Sequence, residues 1–327
     1  MILPDVVTST TIADISAASM MLPDDVHTST TIADIKRVQT SSSSTGSQPS
    51  TRPGKVIKKR PACTWSKAKK PNKAKKVMPT NAHLKYIQQF KIDFDLPVTS
   101  STVTCQRPMP PSYDFIEVFS PPRIAPHVRS MGGVAGKSYD LHTGYDLLHV
   151  PTVVDILKEV NLYDPRVVML SPPCTFASKM QDTNWAKMSK ESKEKLVRVG
   201  LTLLTAALAI MRSQEQRGRY WILEHPRLAK TWKLQQVMDV VGDKFVDFDQ
   251  CMLCLKDKES GQLHKKPTRI ASNLPLVLDR FRNKRCDNSH SHERLQGSNE
   301  SGNRCVQAAR YPPMMCGLIA GCVMDSR

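Results

Sequence analysis

From residue 112 onward, short aliphatic runs alternate with longer stretches of helical periodicity, and this alternation constrains the fold more than any other feature. YDFIEVF (113–119), RVVML (166–170), RYWIL (219–223) and KFVDFD (244–249) read as strands. Between them, VPTVVDILKEVNL (150–162) sets Val153, Ile156, Leu157 and Val160 on one helical face. A longer helix is expected over 189–216, with Ser189 as N-cap and Glu191 in its first turn, and a third over 228–242. Strand alternating with helix predicts an α/β domain with a mostly parallel sheet covered on both faces. In such sheets ligands bind outside the carboxyl ends of the strands.

The N-terminal third has a different texture. Residues 1–35 hold five Asp and no Lys or Arg, and TSTTIADI at 8–15 recurs at 28–35. Two copies are too few for a solenoid, so 1–40 reads as a disordered, duplicated acidic tail. Residues 41–111 read as a disordered linker, first Ser/Pro-rich and then basic. Fifteen Lys or Arg and no Asp or Glu fall within 36–92, in a chain of net charge +17. The clusters 55–60, with Lys58, Lys59 and Arg60, and 67–76 predict a polyanionic partner, DNA before RNA, and an import receptor. A nuclear location is therefore expected, and a cytoplasmic one otherwise. The longest apolar run, GLTLLTAALAIM (200–211), is too short to cross a bilayer, so no membrane partner is expected. The nine Cys, with no export signal ahead of them, read as reduced thiols. Oligomeric state is not legible.

The strand ends carry the chemistry. RVVML runs into Ser171-Pro172-Pro173-Cys174, and RYWIL into Glu224-His225-Pro226. DFIEVF runs into Ser120-Pro121-Pro122-Arg123, and after the fourth strand come Lys265-Lys266-Pro267-Thr268-Arg269. A thiol, a carboxylate and a guanidinium would meet on one edge if these strands are neighbours. His225 reads as a packed or capping residue.

This order of residues resembles the DNA cytosine-5 methyltransferases over roughly 112–327. That family's catalytic loop follows a strand, reads Pro-Pro-Cys and has a Ser four residues after the Cys, as do Cys174 and Ser178 here. A later strand end supplies a Glu, here Glu224, and a later motif an Arg, here Arg269. The resemblance implies a Rossmann-like methyltransferase domain over 112–280 and a loop-rich segment with a closing helix over 281–327. It implies transfer of a methyl group from S-adenosylmethionine to C5 of cytosine. Cys174 would add to C6, Glu224 would hold the base edge and Arg269 would offset charge on the carbonyl side. The base would have to leave the helix. Phe119, Ser120, Asp140, Asp146 and Pro172 would border the cofactor; Ser178, Lys265 and Lys266 would meet nucleic acid. The turn after the first strand, FSPPRIAP, has two prolines where the family has glycines, and Thr175 stands where Gln is usual. Only 58 residues follow Arg269, too few for a typical target-recognition domain, which suits a mobile-element origin.

Zinc is a further expectation. Cys251 and Cys254 form CxxC, and Cys286, His290 and His292 follow. Two Cys from the first pair with one Cys and one His from the second would close a tetrahedral site, His290 against His292 being open. Two other functions remain: an inactive nucleic-acid-binding protein on a methyltransferase fold, or a zinc-stabilised interaction module.

Overall fold

The computed structural model of the chain describes residues 82–90, 112–300 and 302–327. The duplicated tail, the Ser/Pro-rich stretch and the basic clusters with Lys58, Lys59 and Arg60 lie outside the described residues. Contacts divide the chain into Met1–Val77 and Met78–Arg327, and every described residue belongs to the second unit.

The elements run α1 (Ala82–Gln88), β1 (Phe115–Val118), α2 (Ala125–Ser130), β2 (Ala135–Tyr139), α3 (Val150–Tyr163) and β3 (Val167–Leu170). Then come α4 (Asp182–Trp185), α5 (Lys190–Gln216), β4 (Tyr220–Pro226), α6 (Gln235–Val241) and β5 (Phe245–Asp249). They continue with β6 (Leu263–His264), β7 (Pro267–Ser272), α7 (Pro275–Phe281), β8 (His292–Glu293), β9 (Ser298–Asn299) and β10 (Gly302–Asn303). The last are α8 (Arg304–Gln307) and α9 (Pro313–Asp325). Helix α1 stands inside the stretch expected as linker. It forms because His83 and Ile87, four residues apart, share one buried face.

The fold is mixed α/β with a largely parallel central sheet. Its order is β2-β1-β3-β4-β7-β5. Strands β2, β1, β3 and β4 are mutually parallel, and β7 runs antiparallel to both β4 and β5. The strand order reverses between β1 and β3, and such a reversal opens a crevice at the carboxyl ends of the two strands.

Alternate residues of each strand enter two separate cores. Ile116, Val118, Val168, Leu170, Trp221 and Leu223 pack with α3, α5 and α6 on one face. Phe115, Val167, Met169, Ile222 and Ile270 pack with α7 and α9 on the other. Each such side chain, removed fully from water, contributes about 1.5–3 kcal/mol before entropy is subtracted. The closing segment 281–327 therefore completes the core of the same unit rather than standing apart from it. Helix α5 is long and apolar enough to cross a membrane by length and composition alone, but its apolar face, from Val197 to Met211, is buried in the first core.

Candidate functional site at the carboxyl edge of the sheet

Strand β3 delivers Cys174 to the crevice through a stiff turn. The Ser171 amide still donates to the Val118 carbonyl (3.2 Å), extending the β1–β3 ladder by one bond. Pro172 is buried, and its carbonyl accepts from His225 Nε2 at 2.8 Å. His225 Nδ1 lies 2.9 Å from Thr231 Oγ1. A carbonyl can only accept, so Nε2 carries the proton and Nδ1 takes the threonine hydroxyl. Burial holds the imidazole below its ordinary pKa, consistent with a packed residue that ties β4 to the Pro-Pro turn.

Beyond Cys174 the loop is clamped from two sides. Phe176 is buried against Gly200 of α5, where an added Cβ would fall 2.1 Å from the ring. His83 of α1 reaches the Phe176 carbonyl (2.8 Å) and Asp182 Oδ1 (2.9 Å), and stacks on Trp185 at 3.8 Å between ring centres. Lys230 bridges to the same Asp182 oxygen at 2.5 Å. Ser178 is engaged locally, accepting from the Met180 amide to cap the next turn.

Glu224, near the end of β4, is buried at 7 % exposure. Its Oε2 accepts from the Tyr311 hydroxyl at 2.9 Å, while its Oε1 is buried with no hydrogen-bond partner. Tyr311 has one proton, so Ser171 Oγ, 2.6 Å away, donates to it, giving the chain Ser171 to Tyr311 to Glu224. Two cations flank the Tyr311 ring: Arg123 at 5.5 Å and Lys266 at 6.0 Å from its centre. They are anchored on the Ala309 carbonyl (2.5 Å) and the Ala308 carbonyl (3.1 Å). The Cys174 thiol is pushed up to about 11, by burial first and then by Glu224, with Lys266 opposing.

Arg269 is not brought to this group. Its neighbour Ile270 pairs with Glu224, and Arg269 itself pairs with His225, so its side chain leaves from the opposite face of the sheet. There it makes two bonds to Asp247 (2.7 and 3.1 Å) and lies 3.8 Å from the centre of the Phe245 ring. Lys266, the residue before β7, supplies the cation instead. Lys265 donates to Asn288 Oδ1 at 2.5 Å. Tyr311 and Arg123 had no assigned role in the sequence; the one signal for Tyr311 was an aromatic immediately before Pro-Pro.

The glycine-free turn after β1 is built by two devices. Phe119 adopts a left-handed backbone, φ 63°, at a cost of about 1–3 kcal/mol for a bulky residue. The fully buried Glu117 carboxylate accepts from the amides of Arg123, Ile124 and Ala125 at 2.9–3.1 Å. Burial raises its pKa against the pull of those three amides. Ser120 is buried, with its hydroxyl on the Pro121 carbonyl. Asp140 ends β2 and caps the turn that follows, accepting from the His142 amide at 2.9 Å. Asp146 accepts from the Leu148 amide at 2.9 Å. Gly133 and Gly136 serve packing, since a Cβ on either would meet Val128 or Tyr113 at 2.6 Å.

A second group of side chains lies on the same edge, beyond β7. Cys251, Cys286, His290 and His292 bring four ligand atoms within 4.8 Å of one another, an arrangement able to hold a metal ion. Cys251 is buried in the turn after β5, and its thiol is raised by burial and by the neighbouring Cys286. Cys254 is outside the group: it has left-handed backbone, φ 63°, and is exposed. Both histidines join, so the choice left open between them disappears.

No protein-family model matches the chain, and no curated protein matches it.

Proposed function

We propose that this domain takes an unstacked cytosine of a nucleic acid, DNA before RNA, into a site of the cytosine-5 methyltransferase type. The observation that carries this is Glu224 Oε1, a buried carboxylate oxygen without a partner, on the strand beside the one that ends at Cys174. A cytosine offers its amine to such an oxygen. Cys174 then adds across C5=C6: sulfur bonds to C6, and the thiol proton ends on C5. Lys266 and Arg123 supply positive charge beside the base and its phosphates. The strand reversal between β1 and β3 supports a Rossmann-like methyltransferase ancestry for the fold.

S-adenosylmethionine is the donor such a site would use, and the residues around β1 do not fit it. Pro121 and Pro122 have no amide to offer a cofactor and lack the backbone freedom of the glycines usual there. The amides of Arg123, Ile124 and Ala125 are all engaged by Glu117, and Asp140 by its own cap. Recognition and reversible thiol capture of cytosine is therefore the function best supported. Methyl transfer is the second reading, favoured by Asp140 directly after β2, the strand next to β1. Zinc is the ion read into the Cys251–Cys286–His290–His292 cluster.

A duplex carrying a fluorescent cytosine analogue that brightens when unstacked tests base uptake. The full chain brightens it, and Glu224→Gln does not. An unchanged signal at saturating protein overturns the proposal. Calorimetry with S-adenosylmethionine separates the readings: saturable binding restores methyl transfer.

A further inference from the structure

We infer that the Cys251–Cys286–His290–His292 cluster is a closed, structural Zn²⁺ site that clips the 282–293 loop to the β5–β7 edge and so holds Asn288 against Lys265. The inference extends the zinc reading and is independent of the cytosine reading.

Four observations carry it. First, the donor set is two thiols and two imidazoles, which zinc binds in tetrahedral sites with every position filled by protein. Cys286 Sγ lies 3.4 Å from His292 Nε2 and 3.7 Å from His290 Nε2, and all four ligand atoms fall within 4.8 Å of one another, as ligands on one small ion do. Second, three of the four ligands are positioned by backbone that the rest of the fold fixes. Cys251 sits in the turn Gln250–Leu253 directly after β5. The Cys286 amide donates to Asp249 Oδ2 at 3.0 Å. His292 belongs to β8, which pairs in parallel with β6 through Leu263.

Third, Asp249 is fully buried and its Oδ1 has no partner. Its Oδ2 accepts from the Cys286 amide at 3.0 Å and lies 3.5 Å from Arg285 Nε, and the residue stands two positions before Cys251. A buried carboxylate that holds the backbone of one ligand and directly precedes the turn carrying another orients the donor set from outside. Fourth, the loop between the ligands makes a contact that matters elsewhere. Asn288, in left-handed backbone between Cys286 and His290, holds the Lys265 ammonium. Cys251 follows β5 and Cys174 follows β3, so the two sites lie on one rim about 14 Å apart, three strand spacings. In a segment with few apolar residues, the ion does the work of a core.

Elemental analysis of the purified full chain tests the site. One zinc per chain is expected, and Co²⁺ in its place gives the intense visible bands of a tetrahedral site with thiolate charge transfer. A chelator should lower the Tm and open 282–293 to protease. Cys254→Ser keeps the metal, whereas Asp249→Asn weakens it about 10- to 100-fold. Where Cys251→Ser fails to fold, the Co²⁺ spectrum of the wild-type chain decides. A wild-type chain without stoichiometric zinc and with a Tm that chelator leaves unmoved overturns the inference. So do weak octahedral Co²⁺ bands, or loss of metal in Cys254→Ser.

Discussion

The Tyr311 hydroxyl donates to Glu224 Oε2 at 2.9 Å and leaves Oε1 of the same buried carboxylate without a donor. One oxygen is held by the protein and the other is presented. A buried carboxylate oxygen left free in this way is available to a ligand's donor. Replacing Tyr311 by Phe keeps the ring between Arg123 and Lys266 and removes the donor to Glu224 together with the acceptor for Ser171. Leaving the carboxylate unpaired should cost about 1–3 kcal/mol, measured by urea unfolding. A neutral result would mean that Oε2 finds water instead.

Cys174 should be a slow nucleophile at rest. With its thiol pushed up to about 11, alkylation is weak at pH 7 and rises roughly tenfold per pH unit toward that value. Lys266 lowers this pKa, so Lys266→Gln moves the midpoint of the alkylation profile upward. Glu224 raises it, so Glu224→Gln moves the midpoint down. Rates followed by intact mass against pH check both directions.

Gly200 predicts an inverted helix substitution. In an ordinary helix interior, Gly→Ala gains about 1 kcal/mol. Here the new methyl would strike the base of the Phe176 ring, so Gly200→Ala should lose about 1–3 kcal/mol. The double variant with Phe176→Ala should recover part of the loss, and chemical denaturation of the four-member cycle reads the coupling.

Stability should fall on mild acidification. Burial lowers the pKa of His225 below the ordinary 6.5, so it folds as a neutral imidazole, Nε2 donating to the Pro172 carbonyl and Nδ1 accepting from Thr231. The unfolded chain binds more protons below pH 6.5, and stability drops from there down to the folded value. Asp114, Asp164 and Asp182 have lowered values, and their contributions are lost only below the ordinary carboxylate range. His225→Gln should flatten the slope of unfolding free energy below pH 6.5.

The residues that could be placed from sequence were those whose surroundings are uniform. Strands β1, β3, β4 and β5 were legible because they are aliphatic or aromatic runs between turn residues. Strand β2 was not: AGKSY is polar and sits at the sheet edge. Strand β7 was hidden by Pro267 at its start and by the cations around it. The order Cys174, Glu224, Arg269 was readable, but the face was not. Period-two alternation sends Ile270 to the Glu224 side and Arg269 away from it, and only the β4–β7 register decides which. Among the candidate ligands, CxxC spacing suggested a knuckle, and the left-handed backbone at Cys254 undoes it. Helix α1 was concealed by its two-residue core face within a basic, polar stretch.

Capture of cytosine by Cys174 is the central claim, and an intact-mass measurement tests it most directly. The full chain is incubated with a duplex carrying 5-azacytosine, whose C6 is more electrophilic, without any methyl donor. The account predicts a one-to-one adduct that maps to Cys174, disappears in Cys174→Ser and forms far more slowly in Glu224→Gln. No adduct, or one that persists in Cys174→Ser, would contradict it.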